Sequence, residues 1–129
     1  MLRDQNSSAI VASRDLRRSK QFYTETLGLD VAEDMDGVFS VKTGGTMLNV
    51  YESKEAGTNR ANAVVWDCGG DFDAVVKELR SRGVKFEEYP DLGMKIENGI
   101  HTSGDFKAAW FKDPDGNILH INSMGGEMH

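Results

Sequence analysis

The sequence predicts an α+β fold built from two similar modules, each with the order strand, helix, then three strands. Two observations support this prediction. Two amphipathic helical segments each follow a short apolar run, and each is followed by strand-like runs that a tight turn joins into a hairpin. At 129 residues the chain has the size of one compact domain. We therefore expect a single domain over 1–129, with module one at about 8–53 and module two at about 61–123.

The first helix is predicted to run from Asp15 to Leu27. Asp15 is a residue type that caps helix N-termini, and Gly28 is suited to end the helix. Phe22 and Tyr23 lie near one apolar face. The runs "SAIVAS" before this helix and "LDVAE" after it are predicted strands.

The second helix is predicted from Asp71 to Arg82, with Gly83 closing it. It lies between the strand-like runs "AVVWDC" and "VKFEEY". Its buried stripe has the spacing of an amphipathic helix and consists of Phe72, Val75, Val76 and Leu79.

Two hairpins complete the modules. Gly44 and Gly45 join two runs in "VFSVKTGGTMLNVYE", and the turn 113–116 joins two more in "AAWFKDPDGNILHIN". One face of each sheet is expected to pack on its helix, so that the other faces line a cleft between the modules. The glycine-rich segment 89–107 is expected to be a lid over this cleft or a disordered loop.

Composition excludes several classes of function. The net charge of −6 and the lack of a long Lys/Arg run argue against nucleic-acid binding. No apolar run approaches the ~20 residues that span a bilayer, so no membrane partner is expected. Cys68 is the only cysteine, which excludes an intrachain disulfide and favours the reducing cytoplasm.

The runs "SRDLRRSKQFYTETLGLDV" and "AWFKDPDGNILHI" resemble the two signature segments of the vicinal oxygen chelate superfamily, which includes glyoxalases, bleomycin-resistance proteins and extradiol dioxygenases. The resemblance extends from about Ser8 to Asn122. It implies paired βαβββ modules that curl into a half-open barrel around a cavity, completed or covered by the partner in a homodimer. In metal-using members, His, Glu or Gln ligands come from the first and last strands of each module.

The resemblance transfers these four ligand positions to Ser8, Asn49, Ala63 and His120. An apparent one-residue insertion at Gly69-Gly70 leaves Asn62 as an alternative to Ala63, and Ser7 as an alternative to Ser8. One imidazole, one amide, one hydroxyl and one methyl offer little to a divalent ion, which prefers carboxylates and neutral imidazoles. No metal or other cofactor is therefore expected, and the only candidate ligands are His120, Asn49 and Ser8.

Alternation along the strands predicts which side chains line the cavity. In "MLNVYE", Met47, Asn49 and Tyr51 share one face and Leu48 and Val50 the other. Trp66 and Trp110 are expected to form aromatic parts of the cavity wall. The predicted ligand-binding residues are Ser8, Met47, Asn49, Tyr51, Trp66, His101, Trp110 and His120.

The histidines and Cys68 have more than one interpretation. His120 is the candidate catalytic residue, or a strand histidine satisfied by its neighbours. His101 either swings over the cavity or is an exposed loop residue, and Glu97 and Asp105 flank it. Cys68 is interpreted as a small buried residue rather than a nucleophile. The terminal "GGEMH" is expected to fray.

The leading hypothesis is a cytoplasmic homodimeric protein that binds a small organic molecule without metal chemistry. Two alternatives remain open. One is a divalent-metal-dependent lyase, isomerase or dioxygenase that uses His120 with other ligands. The other is a metal-free acid-base enzyme that uses His120 as its proton carrier.

Overall fold

The computed structural model of the protein describes residues 1–124, so the predicted frayed tail lies outside the described residues. Module one has four strands and one helix, followed directly by a π-helical segment: β1 (Ala9–Ser13), α1 (Leu16–Gln21), the π-helical Phe22–Thr26, β2 (Asp30–Met35), β3 (Val38–Thr43) and β4 (Thr46–Glu52). Module two has five strands and one helix: β5 (Asn62–Asp67), α2 (Phe72–Ser81), β6 (Lys95–Glu97), β7 (Ile100–Ser103), β8 (Phe106–Lys112) and β9 (Ile118–Asn122). Short 3-10 turns occupy Leu2–Asp4, Gly69–Asp71 and Pro90–Leu92.

The two sheets confirm the predicted fold class. Module one has the strand order β1-β4-β3-β2 and module two the order β5-β9-β8-β7-β6. In each module the first strand runs parallel to the last, β1 to β4 and β5 to β9, and the other neighbours are antiparallel. Because β1 and β5 lie beside each other, the sheets meet along their first strands and form a half-open barrel.

Each sheet has a helix face, which packs in the core, and an opposite face, which we call the cleft face. The helix faces and the helices bury Tyr23, Phe39, Phe72 and Phe111 at no more than 2% exposure. Because alternate residues of a strand point to opposite faces, this packing turns the neighbouring residues of each strand toward the cleft. No helix within residues 1–124 is long and apolar enough to cross a bilayer.

The first helix begins where the sequence predicts, and its second half is wound more loosely. The carboxylate of Asp15 accepts a hydrogen bond from the backbone N–H of Arg18 at 3.2 Å. The Leu27 N–H then bonds the carbonyl of Phe22 at 3.0 Å, which is the spacing of a π-helix. Gly28 ends the helix with a φ of 75°, a left-handed conformation that glycine adopts without strain.

Module two departs from the prediction after its helix. The run "VKFEEY" forms only an isolated bridge, between Glu87 and Trp110, rather than a strand. The segment 89–107, predicted to be a lid or a disordered loop, instead supplies β6 and β7, and β7 pairs with β8. Asn98 and Gly99 make this hairpin possible, because their φ angles of 53° and 83° suit a two-residue turn between antiparallel strands.

The turn between β8 and β9 fastens module two to module one. Asp113 accepts the hydroxyl hydrogen of Tyr23 at 2.7 Å, and the amide of Asn117 donates to the carbonyl of Ala12 at 2.8 Å. The Asp115 carboxylate, whose side chain is 1% exposed, accepts from the hydroxyl of Ser19 at 3.1 Å. We call residues 113–117 the anchoring turn.

Replacing Tyr23 by Phe is expected to lower the free energy of unfolding by about 1.5–3 kcal/mol, because it removes a buried hydrogen bond to a carboxylate. Burial and the neighbouring Asp113 raise the pKa of Tyr23, so its hydroxyl stays protonated and donates. Denaturant unfolding measures the change. Tyr51→Phe is the matched control, since Tyr51 is 39% exposed, and it should change stability by no more than about 0.5 kcal/mol. Equal effects of the two variants would contradict this account of the anchoring turn.

Candidate functional site

His120 lies at the centre of the cleft face of module two. It sits on β9 between Val65 of β5 and Trp110 of β8. Its imidazole stacks on the Trp110 indole, with ring centroids 4.5 Å apart and an interplanar angle of 21°. Only 8% of His120 is exposed, so its ring forms part of the cleft wall rather than projecting into solvent.

Both ring nitrogens of His120 are held by the protein itself. Nδ1 lies 3.1 Å from the carbonyl oxygen of Ala109, which can only accept, so Nδ1 carries the proton. Nε2 then accepts from the amide nitrogen of Asn122 at 3.2 Å. The Asn122 oxygen in turn accepts the backbone N–H of Met124 at 2.9 Å, which fixes the orientation of the amide. His120 is therefore a neutral imidazole with neither nitrogen free.

Burial lowers the pKa of His120 below its usual value, because the protonated ring loses hydration in the cleft wall. The hydrogen bond to Ala109 and the charge of Asp67 oppose this shift but are outweighed, and His101 adds to it. The lowered pKa agrees with the neutral ring that the hydrogen bonds require.

Tyr89 and His101 extend the aromatic cluster. His101 is fully buried on β7, so the interpretation as an exposed loop residue is wrong. Its ring centroid lies 4.8 Å from that of Trp110, and its Nε2 accepts the backbone N–H of Tyr89 at 3.0 Å. Two buried polar atoms, the Tyr89 hydroxyl and Nδ1 of His101, have no hydrogen-bond partner within residues 1–124.

The cleft face of module one is more open than that of module two. Met47 and Tyr51 are 36% and 39% exposed, and Asn49 between them is half-buried. Asn49 pairs with Ile10 of β1, which is 58% exposed. Ser8 directly precedes β1 and is exposed.

The structure separates Trp66 from the other predicted residues. Trp66 pairs with Ile121 on the helix face of the sheet, and its indole N–H donates to the hydroxyl of Thr43 at 2.7 Å. It therefore does not line the cleft, contrary to the prediction. Val64 and Trp66 share this face because β5 alternates in the same phase as Leu119 and Ile121 of β9.

A bulge in β5 decides between Asn62 and Ala63. The register of β5 against β9 shifts between Asn62 and Val64. Ala63 consequently packs against the core, whereas the Asn62 side chain accepts a hydrogen bond from the Trp110 indole at 3.0 Å. Asn62 is the residue of this pair that reaches the cleft cluster.

The residues present do not fit the divalent ion that the resemblance implies for metal-using members of the superfamily. The positions transferred by the resemblance supply neutral side chains, and the Nε2 lone pair of His120 already faces the amide N–H of Asn122. A cation at that nitrogen would have to displace this donor. Within residues 1–124, no group of three or more His, Cys, Asp or Glu side chains is placed to hold a metal ion. Glu97, the last residue of β6, and Asp105, in the turn between β7 and β8, are both exposed.

Sequence reasoning missed two residues of the cluster, Tyr89 and Asn122. Asn122 carries a usable signal, because it follows His120 by two positions and must share its face of the strand. Tyr89 carries no such signal, since it reaches Trp110 through a segment with little regular structure.

The family model of the Glyoxalase/Bleomycin resistance protein/Dioxygenase superfamily matches residues 7–121. A glyoxalase/bleomycin resistance protein/dioxygenase from Alicyclobacillus acidocaldarius superposes with a TM-score of 0.71 at 17% identity, covering 97% of this chain and 95% of its own. A glyoxalase/bleomycin resistance protein/dioxygenase from Nocardioides superposes with a TM-score of 0.64 at 16% identity, covering 90% of this chain and 80% of its own. The oxidase ChaP-H2 superposes with a TM-score of 0.66 at 24% identity, covering 94% of each chain. At these identities the solved structures share the fold alone. No curated protein matches the sequence.

Acidification is expected to destabilise the protein through His120. The unfolded chain binds a proton on this ring near the usual pKa of 6.5, whereas the folded protein resists protonation. The stabilisation is therefore fully present above that pH and is lost as the pH falls below it, with a slope of at most about 1.4 kcal/mol per pH unit. Unfolding free energies measured from pH 7.5 to 5.5 should show a shallower slope in His120→Gln than in the wild type. If the free energy of unfolding depends on pH equally in both proteins, His120 is not the source of the acid destabilisation.

Tyr89→Phe is expected to leave the free energy of unfolding unchanged or to raise it by up to about 1 kcal/mol, because the hydroxyl it removes is buried without a partner. The ring contact with Trp110 at 5.4 Å is retained. Denaturant unfolding tests this alongside Tyr23→Phe, which should have the opposite sign. A loss above about 1 kcal/mol in Tyr89→Phe would mean that this hydroxyl does have a partner.

Proposed function

Because the chain belongs to the Glyoxalase/Bleomycin resistance protein/Dioxygenase superfamily and carries neutral side chains at the transferred ligand positions, we propose that it binds a small organic molecule in its cleft without a metal ion. The apolar and aromatic side chains that line the cleft would provide the affinity, and a few polar groups would orient the ligand.

The observation that carries this proposal is the hydrogen bonding of His120. A metal ligand needs a free lone pair, and a general base needs a nitrogen within reach of the substrate. In His120, Nδ1 is bound to Ala109 and Nε2 to Asn122. The same bonding argues against both alternatives, metal-dependent catalysis and acid-base catalysis through His120.

The exposed residues of the cleft indicate the class of ligand. Ile10 and Val65 are 58% and 53% exposed where the two sheets meet, and Tyr51 is 39% exposed. Covering such surface contributes roughly 25 cal/mol per Å². The Trp110 indole suits stacking on a flat ring, and the half-buried amide of Asn49 suits a hydrogen bond to a ligand oxygen. We therefore infer a flat, largely apolar ligand that carries at least one hydrogen-bonding oxygen.

We also propose that the protein acts as a homodimer. The outer strands β2 and β6 leave unpaired edges, and Met35 on β2 is 60% exposed. Pairing with a second copy would cover such surface. Light scattering after size exclusion tests this: a dimer mass supports the proposal, and a monomer mass at high concentration contradicts it.

A matched pair of probes tests the binding proposal. 2-Acetylnaphthalene and 2-ethylnaphthalene have the same flat ring system, but only the first carries a carbonyl oxygen. Calorimetry should give roughly 5- to 10-fold tighter binding of the acetyl compound, the value of about one hydrogen bond. The preference should disappear in Asn49→Leu and persist in Asn6→Leu, a control at an exposed position ahead of β1.

Adding EDTA should leave the affinity of both probes unchanged. Binding that disappears with EDTA and returns with a divalent ion would favour the metal-dependent alternative. Failure of either probe to bind, or a carbonyl preference that survives Asn49→Leu, would contradict the proposed role of the cleft.

A further inference from the structure

A cavity of about 200 Å³ lies on the helix face of module two, on the opposite side of strand β9 from His120. Both modules line it. Leu27 and Thr43 come from module one, whereas Trp66, Val75 and Leu79 come from β5 and α2 of module two. The cavity is partly open to solvent.

The walls of this cavity are almost entirely apolar. Their main polar contact is the hydrogen bond from the Trp66 indole to the Thr43 hydroxyl at 2.7 Å, in which each group satisfies the other. Cys68 also lines the wall. Burial, together with Asp67 and Asp71, raises the pKa of its thiol, so Cys68 presents a neutral surface.

Size and polarity define what the cavity can hold. An enclosed apolar cavity of roughly 150 Å³ in a protein binds benzene. The cavity seen here has similarly apolar walls but is partly open to solvent. The volume of about 200 Å³ seen here has room for one aromatic ring with a short substituent. Among residues 1–124, none of those lining the cavity carries a full charge, so an ionised ligand would lose its hydration without compensation.

We propose that this cavity is a second binding site, for an uncharged apolar molecule of about one substituted aromatic ring. The site is separate from the cleft, because the strands β5 and β9 lie between the two. On these strands Trp66 and Ile121 face the cavity, whereas Val65 and His120 face the cleft. An occupant touches both modules, so it stabilises their packing against each other and favours the folded protein.

Toluene is the probe for this site. Saturating toluene should raise the melting temperature by a few degrees and shift the methyl NMR signals of Val75 and Leu79 in a saturable manner. The signals of Ile10 and Val65, on the cleft face, should not follow the same titration. Benzoate, which has a similar size and a negative charge, should produce neither effect.

Two matched substitutions separate this site from the cleft. Val75→Phe fills the cavity and should weaken toluene binding at least about tenfold. Val65→Phe makes the same change on the cleft face and should leave the toluene affinity as in the wild type. Cys68→Leu is a second way to fill the cavity, should Val75→Phe fail to fold.

The proposal is overturned if the wild type shows no saturable Val75 and Leu79 shifts up to the solubility limit of toluene. It is also overturned if benzoate binds equally well, or if toluene affinity responds to Val65→Phe and not to the filling variants. None of these results depends on the naphthalene probes of the cleft, so the two proposals can fail separately.

Discussion

The buried carboxylates of the anchoring turn are the constraint on which the cleft depends. Asp113 and Asp115 lie at the junction of the modules, where an ionised group is stable only if hydrogen bonds replace its hydration. Asp115 receives these bonds from module one, through the Ser19 hydroxyl and the backbone N–H of Arg14. Asp113 receives one from the Tyr23 hydroxyl of module one and the others from residues 115 and 117 of the turn itself. Because the turn joins β8 to β9, satisfying its carboxylates also determines where these two strands lie against module one.

A close approach of backbones tightens the same junction. A Cβ on Gly57 would lie 1.9 Å from the carbonyl oxygen of Asp115, so only glycine allows the loop after β4 to pass the turn. The segment "DPDGN", which is part of one of the two runs that carry the family resemblance, thus makes structural contacts. Resemblance in this segment predicts the scaffold. Asn49 and His120 of the cleft face lie outside this junction, so side chains at such positions can change while the junction stays intact.

Local patterns predicted the parts of the fold that local interactions determine. Asp15 and Gly28 bound the first helix as expected, and alternation placed Trp110 and Phe111 on opposite faces. The hairpin β6–β7 was missed because its strands have only three and four residues, although Asn98-Gly99 is a strong turn signal. The burial of His101 could not be predicted, since it results from tertiary packing against Tyr89 and Trp110.

The identity of the residue at position 120 decides whether the cleft is stable without an ion. A carboxylate in this wall, stacked beside Trp110 and 92% buried as His120 is, would need a cation or several donors to offset its lost hydration. A neutral imidazole needs one acceptor and one donor, and Ala109 and Asn122 provide them. The ring and its partners thus form a closed network of neutral groups. The cleft wall around position 120 can therefore stay folded with no ion.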